Sequence, residues 1–138
     1  MDRAGVKSEV VDTSVSDVWL DEEGILHEVA HERAHVTLAT ARREVAAMKR
    51  VAGGGRYPIL VDIRNSRSVT RDARQYLSGP EAAECVTAVA LLTGSALTKI
   101  MGNFFIGFNR GTFPTRVFSD EGAALEWLRS VARKESGA

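Results

Sequence analysis

This 138-residue chain has little cysteine and proline, with one Cys and three Pro, and it has no excess of charge of one sign. Because Cys85 has no second cysteine to pair with, an intrachain disulfide is excluded and a reducing compartment fits. Lys plus Arg equal Asp plus Glu at 18 each, so no bulk charge draws the chain to nucleic acid or an anionic membrane. No apolar run is long enough to span a bilayer, and the N-terminal residues lack a signal-peptide core. We therefore expect a cytoplasmic protein of bacterial type, with no nucleic-acid and no membrane partner.

The length and patterning of the chain predict one domain with loose ends. A chain of 138 residues can bury a sufficient hydrophobic core without disulfides or metals. Residues 1–16 are polar and have no hydrophobic period, so we expect a flexible N-terminal arm. Residues 17–133 carry the periodic patterns of the domain, and residues 134–138 are expected to form a C-terminal tail.

Strand and helix patterns alternate along the domain. Residues 17–20 and 25–31 alternate around a turn at Gly24, which predicts two antiparallel strands. Apolar residues at three- and four-residue spacing over residues 38–52 predict an amphipathic helix that Thr37 can cap. Further strands are predicted at residues 59–63, 86–92 and 115–118, and further helices at residues 71–77, 95–109 and after a Ser119 cap. The order β-β-α-β-α-β-α-β-α predicts a single-domain α/β fold with a mixed, mostly parallel sheet of about five strands and about four helices.

The sequence HEVAH at residues 27–31 matches the H-E-x-x-H motif of zinc proteases, in which two histidines on one helical face bind the metal. Here the motif follows Gly24 inside an alternating segment that predicts a strand. A strand of this span separates the two histidines by ~13 Å, which is too far for one ion. We therefore predict no metal site and expect that His27 and His31 do not share a metal.

Polar side chains follow the predicted strand at residues 59–63, where the chain passes into a helix start. In an open α/β sheet, the carboxyl edge of the strands is the usual ligand side. Hydroxyl and guanidinium groups at such a place suit an anion or a phosphorylated side chain. The predicted ligand or partner edge, with a solvent-open loop over residues 64–71, consists of Asp62, Arg64, Ser66, Ser68, Thr70, Arg71, Thr93 and Ser95. The alternative is that Asp62 satisfies loop amides, Thr70 caps its helix and the arginines are solvated.

Nucleotide binding and covalent chemistry have little support in the sequence. Residues 93–95, Thr-Gly-Ser, lack the glycine spacing and the Gly-Lys-Ser/Thr ending of a phosphate loop. Cys85 has no basic neighbour in sequence that would activate it, so a packing role is favoured. No nucleophile, base and orienting group can be assembled from the motifs, and we expect no cofactor and no enzymatic activity.

The predicted helix at residues 95–109 is apolar nearly all round, whereas a helix on one face of a sheet needs a single apolar stripe. Three accounts are open: a neighbouring helix clamps it against the sheet, it forms a dimer contact, or it lines an apolar ligand pocket. The candidate interface or pocket residues are Met101, Phe104, Phe105 and Phe108. We expect a homodimer with this helix or an exposed sheet face near the contact.

Four stretches resemble the STAS or SpoIIAA-like domain, the fold of anti-sigma-factor antagonists and of sulfate-transporter tails. They are VDIR at a strand end, VALLTGS at a strand-to-helix junction, GNFF after it, and the closing VFSDEGAALEWL. Together with the element order, the resemblance covers about residues 17–131 and implies a STAS-like fold. Regulatory members carry an aspartate-serine pair at the second helix start, where this chain reads Val69-Thr70-Arg71-Asp72-Ala73. The phosphorylation switch is therefore not carried over, and phosphorylation of Thr70 stays open.

The resemblance implies a non-enzymatic cytoplasmic regulatory or protein-interaction domain, for which a protein partner is the expected ligand. The alternative function is a carrier for a small apolar or anionic ligand, since related lipid-carrier-like domains keep an apolar cavity. Stabilisation by a ligand on heating would favour the carrier, and co-purification of another protein would favour the interaction domain.

Overall fold

The computed structural model describes residues 7–94 and 113–137, which form a six-stranded sheet with helices on both faces and a separate pair of strands. The mixed α/β architecture predicted from the sequence is thereby confirmed, with six strands in the sheet where about five were predicted. The predicted helix at residues 95–109 lies outside the described residues, and so do the candidate residues Ser95, Met101, Phe104, Phe105 and Phe108.

The larger sheet consists of β1 (Val11–Asp12), β2 (Ser16–Leu20), β3 (Leu26–Ala30), β5 (Tyr57–Asp62), β7 (Val86–Leu92) and β8 (Thr115–Phe118). In space these strands lie in the order β1-β2-β3-β5-β7-β8. The first three strands pair antiparallel, and β3, β5, β7 and β8 pair parallel. This confirms the predicted hairpin and the mostly parallel sheet that alternating strands and helices require.

A second, two-stranded parallel sheet joins β4 (Ala34–Val36) and β6 (Ser66–Val69), neither of which was predicted. Backbone hydrogen bonds continue the pairing at both ends, from Arg33 N to Asn65 O at 2.8 Å and from Thr70 N to Val36 O at 2.9 Å. Three- and four-residue strands are too short to show a hydrophobic period, so the pairing across 32 residues decides them. The predicted solvent-open loop over residues 64–71 is therefore wrong for its central part.

Residues 8–16 belong to the sheet, so the prediction of a flexible arm up to residue 16 is wrong there. Ser8 N donates to Leu20 O at 2.8 Å, and Leu20 N donates to the Ser8 hydroxyl at 2.8 Å. β1 pairs with β2 through Val11 opposite Val18. At the other end, the last helix continues to Gly137, beyond the predicted boundary at residue 133.

The helix α1 (Leu38–Ala52) has the bounds that its periodicity predicts, because both ends carry capping groups. Thr37 and Thr40 form a reciprocal capping box: each side chain accepts a hydrogen bond from the other residue's backbone N–H. Gly53 ends the helix with φ 58°, a left-handed conformation that costs glycine no Cβ clash. One face of α1 is buried, with Ala41, Glu44, Val45, Ala47, Met48, Val51 and Ala52.

Helices cover the sheet on both faces and divide the core in two. α1, α2 (Arg71–Leu77) and the one-turn helix α3 (Pro80–Ala83) lie on one face, where Val45 and Met48 pack with Ile59 of β5. α4 (Glu121–Gly137) lies on the opposite face, where Leu128 packs with Leu60 of β5. Neighbouring residues of β5 thus serve opposite cores, as a buried strand requires. None of the described helices is both long and apolar enough to cross a bilayer.

Two N-terminal caps were predicted for the later helices, of which one is confirmed and one is wrong. Thr70 caps α2, and its hydroxyl oxygen accepts from Ala73 N at 3.3 Å. The last helix was predicted to be capped by Ser119, but Asp120 is the cap, since its Oδ2 accepts from Ala123 N at 2.8 Å. Aspartate and serine have similar capping preference, so adjacent candidates cannot be ranked from sequence.

We expect Thr37→Ala to lower the free energy of unfolding by about 1 kcal/mol, because the first turn of α1 loses its side-chain acceptor. Urea denaturation measured by circular dichroism checks this value. Thr37→Ser is the control, since it keeps the hydroxyl group and should retain most of the wild-type stability. Equal losses for both variants would contradict a capping role and indicate a loss of methyl packing instead.

Candidate functional site

The predicted ligand edge begins at Asp62, which lies at the carboxyl end of β5 as predicted, opposite Leu92 of β7. Arg64 closes this position with two hydrogen bonds, from Nε to Oδ1 of Asp62 at 3.0 Å and from Nη2 to Oδ2 at 2.7 Å. The Asp62 hydrogen bond raises the pKa of the Arg64 guanidinium group further. Gly94 leaves room for this arginine, since a Cβ there would lie 3.1 Å from Cγ of Arg64. The Asp62 carboxylate is therefore already neutralised by its own chain.

The hydroxyl groups of the predicted edge are engaged in local structure. Ser66 is buried within β6, and Ser68 of the same strand hydrogen-bonds to Nδ1 of His35. Thr70, besides capping α2, donates to Oδ1 of Asp72 at 2.5 Å, a hydrogen bond that lowers the pKa of Asp72. Thr93 is buried and donates to Phe118 O at 3.3 Å. These contacts match the alternative in which the edge residues build the fold, while Arg71 is exposed.

Residues 27–30 of the HEVAH segment are part of β3, which confirms the predicted strand; the protease motif would require a helix here. His27 stacks on Trp19 with ring centroids 4.8 Å apart and forms a 2.8 Å contact from Nε2 to Oδ2 of Asp21. His31 directly follows β3 and bonds through Nε2 to Oδ1 of Asp17 at 3.0 Å. Each histidine thus has its own aspartate partner.

Asp12, Asp17 and His31 are the side chains of the described residues that could hold a metal ion together, with one ligand atom from each within 4.8 Å of the others. The geometry is equally that of an ion pair, because the hydrogen bond that His31 donates to Asp17 raises the pKa of His31. A protonated imidazole has no lone pair to give a metal. The three side chains therefore also fit an ion pair, and the absence of a metal site stays a prediction.

A pair of buried glutamates, which the sequence analysis did not single out, lies where α1 packs on the sheet. Glu28 of β3 is 6% exposed and Glu44 of α1 is 2% exposed. Their carboxyl groups hydrogen-bond to each other, and the Ser16 hydroxyl donates to Oε2 of Glu44 at 2.9 Å. Within the described part of the chain, no hydrogen-bond donor reaches Oε2 of Glu28 or Oε1 of Glu44. Two ionised carboxylates offer acceptors only, so one shared proton is what joins the pair.

The surroundings decide which glutamate holds the proton. Burial raises the pKa of Glu28 well above its ordinary range, and the charge of Glu44 and the hydrogen bond to it act in the same direction. Burial also raises the pKa of Glu44, but hydrogen bonds from Glu28 and Ser16 and the charge of His31 oppose this rise. Of the two carboxyl groups, Glu28 therefore holds the shared proton more strongly, because every cause that acts on its pKa raises it.

The positions of Glu28 and Glu44 in the sequence give a signal for this buried pair. Glu28 alternates with Leu26 and Ala30 on one side of its strand. Glu44 falls on the apolar stripe of α1, three residues after Ala41 and four before Met48. Acidic residues on two buried faces are a reliable sign of a buried polar interaction, although only the fold shows that these two meet.

Next to Glu28, an apolar cavity separates the sheet from α1, α2 and α3. The cavity is small: the centre of a water molecule could reach about 40 Å³ of it. Its walls are formed by Glu28, Met48, Ile59, Val61, Leu77, Ser78, Ala82, Val86, Val89, Leu91, Phe113 and Thr115. Glu28 is the ionisable residue among them, and the partly exposed Val61, Leu77 and Val89 mark its open side.

The sheet order and the helices on both faces define a SpoIIAA-like fold, and comparison with solved structures agrees. An uncharacterised protein of the DUF3478 family with a SpoIIAA-like fold, from Shewanella loihica PV-4, matches with a TM-score of 0.58 and 16% identity, covering 88% of this chain and 94% of the other. A protein of unknown function from Arthrobacter sp. FB24 is 30% identical over 87% of this chain and 96% of the other, with a TM-score of 0.33.

The family model described as "Domain of unknown function (DUF7793)" matches residues 18–132, and the chain belongs to this family. No curated protein matches the chain. The predicted STAS or SpoIIAA-like resemblance is thus confirmed as a statement about fold.

We expect Glu28→Gln to flatten the dependence of stability on pH. Because the pKa of Glu28 is raised in the folded chain, the folded state keeps a proton that the unfolded chain loses above about pH 4.3. The free energy of unfolding of the wild type therefore falls as pH rises from there toward the raised pKa. Glutamine cannot ionise and can still donate to Glu44. Between about pH 5 and pH 8, the free energy of unfolding should therefore fall by at least ~1 kcal/mol less in the variant than in the wild type.

Urea titrations at several pH values measure this difference. Glu126→Gln is the matched control, because the Glu126 side chain is 70% exposed on α4 and should keep the wild-type profile. Parallel profiles for the wild type and Glu28→Gln would show that the buried pair holds no proton in this range.

Proposed function

We propose that this chain is a non-enzymatic cytoplasmic regulatory domain of SpoIIAA-like fold that binds a small, mainly apolar molecule in the cavity beside Glu28. The single observation that supports this most strongly is a buried carboxyl group on the wall of an otherwise apolar cavity. Ligand sites have this composition, with apolar walls and a few placed polar groups that orient the ligand. Of the two functions that the sequence left open, this proposal develops the small-ligand carrier.

The dimensions of the cavity restrict the ligand to a few non-hydrogen atoms. The 40 Å³ that a water centre could reach is narrow, and the best small ligands gain about 1.5 kcal/mol per non-hydrogen atom at most. Affinities of isolated small compounds are therefore expected in the millimolar range. Val61 and Val89 on the open side offer an entry path that leaves the buried core in place.

The absence of catalysis is part of the proposal and has support from three groups. Burial raises the pKa of Cys85 to about 11, which opposes formation of the thiolate nucleophile. Glu44, the other member of the glutamate pair, does not belong to the cavity wall, so it is not available as a base to a molecule in the cavity. Asp62 at the strand edge is held by Arg64.

We expect Val89→Phe to remove binding of small apolar compounds, because the added ring fills the open side of the cavity. Ligand-observed NMR with a panel of small alcohols, amines and aromatic compounds measures the affinities, which should fall by about tenfold or more. Val29→Phe is the matched control, since Val29 is also half-buried but lies on β3 with its side chain on the opposite face from Glu28. The proposal fails if the wild type binds no member of the panel, or if a crystal structure has the cavity filled by the protein's own side chains.

Protein interaction through a homodimer is the second candidate function, and the apolar composition of residues 95–109 is what favours it. We expect Phe105→Glu to weaken the dimer by placing a charge in an apolar contact, while the monomer stays folded. Sedimentation velocity over a range of concentrations measures the association, with Lys134→Glu on the exposed surface of α4 as a control. A wild type that stays monomeric at high concentration would contradict this function.

A further inference from the structure

The start of the two-stranded sheet carries a group of polar side chains that shares no residue with the cavity. The exposed residues Arg33, Asn65 and Arg67 line one solvent-open depression there, together with the buried Ser66. We infer that this depression, which we call the Arg33 site, binds the phosphate group of a small phosphorylated molecule. Such binding is separate from the small-ligand function proposed above and does not depend on it.

Backbone pairing holds the side chains of the Arg33 site in a fixed arrangement. Arg33 N donates to Asn65 O at 2.8 Å, and Ala34 lies opposite Ser66 in the parallel pairing of β4 and β6. Ala34 and Ser66 are buried, and the Ser66 hydroxyl donates to Ala34 O at 3.4 Å. Because successive side chains of a strand alternate between its faces, Asn65 and Arg67 lie together on the exposed side of Ser66. The donors are therefore placed by strand pairing before any ligand arrives.

The two guanidinium groups of the Arg33 site have no partner of opposite charge. Within the described residues, no carboxylate forms an ion pair with Arg33 or Arg67, although Glu32 is adjacent to Arg33 in sequence. The carboxylate at the end of the neighbouring strand β5, Asp62, is held by Arg64. Two positive charges that line one depression repel each other, and an anion between them removes this repulsion. The site thus offers charge and N–H donors that the described part of the chain does not use.

The backbone at Arg33 is a second feature that points to its side chain. Arg33 has φ 61°, and it shares a positive φ with Ser14 as the two non-glycine cases among the described residues. This left-handed conformation is unfavourable for a residue with a Cβ, whereas glycine and asparagine adopt it readily. An arginine therefore stands where the backbone favours another residue, and a use for its guanidinium group accounts for that choice.

A phosphate group suits these donors better than a carboxylate does. Its monoester carries nearly two negative charges at neutral pH and has three acceptor oxygens. A planar guanidinium group bonds to two such oxygens at once, so a tetrahedral anion can engage Arg33 and Arg67 together and still accept from the Asn65 amide. No apolar residue lines the depression. We therefore expect the Arg33 site to recognise the phosphate group itself, with little selection for the molecule that carries it.

Titrations of the full chain with inorganic phosphate, glycerol 3-phosphate and acetate measure this preference. They are run at about pH 7.5, where phosphate esters are dianions, and at one fixed ionic strength. We expect phosphate and glycerol 3-phosphate to bind with similar affinities in the millimolar range, and acetate to bind about tenfold more weakly. Amide NMR spectra locate the binding, and the shifts should be largest at Arg33, Asn65 and Arg67.

Arg33→Asn separates phosphate binding from folding, because asparagine accepts the left-handed conformation and removes the guanidinium group. Its phosphate affinity should fall by about tenfold, while its thermal unfolding midpoint stays at or above that of the wild type. Arg67→Gln should lower the affinity by a similar factor. Arg133→Gln is the matched control, since it removes the same charge from an exposed position on α4 and should keep the wild-type affinity. Val89→Phe, in the cavity wall, should keep it as well.

Several results would contradict a phosphate site here. Acetate that binds as tightly as phosphate, or Arg133→Gln that weakens binding as much as Arg67→Gln, would show a general attraction between charges. Loss of phosphate binding in Val89→Phe would place the phosphate in the cavity. If Arg33→Asn unfolds the chain, Arg67→Gln alone decides, and an unchanged affinity in that variant rules the site out. A wild type that binds neither phosphate nor glycerol 3-phosphate rules it out too, and leaves the small-ligand function untouched.

Discussion

The contact between Glu28 and Glu44 places two carboxyl groups inside the apolar packing of α1 against the sheet, and this contact requires a shared proton. Both carboxyl groups are almost completely buried, and one hydroxyl group, that of Ser16, is the further donor to the pair. Two ionised carboxylates at this position would repel each other in surroundings of low dielectric and leave two buried acceptors unpaired. A single proton removes both problems, so the contact between β3 and α1 is coupled to the protonation of Glu28. The stability of the helix-to-sheet contact and the charge of the cavity wall are consequently set by the same group.

The two faces of the sheet are packed differently, and this difference explains where the cavity lies. α4 rests on small side chains of β7, and contact with Ala88 and Ala90 lets the helix approach the sheet closely. On the other face, Ser78 ends α2 and Gly79 precedes α3, so two short helices lie where one long helix could have run. Leu77, Ser78 and Ala82 flank this break, and all three line the cavity. A gap therefore remains on the face where Glu28 is buried.

The strand-end edge, which is the usual ligand side of an α/β sheet, is occupied by the chain itself. Arg64 neutralises Asp62, the Thr70 hydroxyl caps α2, and the buried Thr93 hydroxyl donates a hydrogen bond to Phe118 O. Likeness to a SpoIIAA-like protein at 16% identity is a likeness of fold, and a shared fold does not carry a shared site. In this member of the DUF7793 family, the group with unusual chemistry lies inside the helix-covered face and not at the edge.

Local order in this protein was determined by the sequence alone, and long-range pairing was decided by the tertiary structure. The bounds of α1, the strand conformation of His27 and the Thr70 cap follow from periodicity and capping, which act over three or four residues. The Ser119 cap was misassigned because its neighbour Asp120 competes for the same role. β4 and β6 and the pairing of β1 depend on backbone hydrogen bonds to distant segments, which leave no period in such short stretches. Glu28 and Glu44 could each be recognised on a buried face. Their shared proton requires that β3 and α1 bring together two carboxyl groups that are 16 residues apart along the chain, and only the packed fold creates that contact.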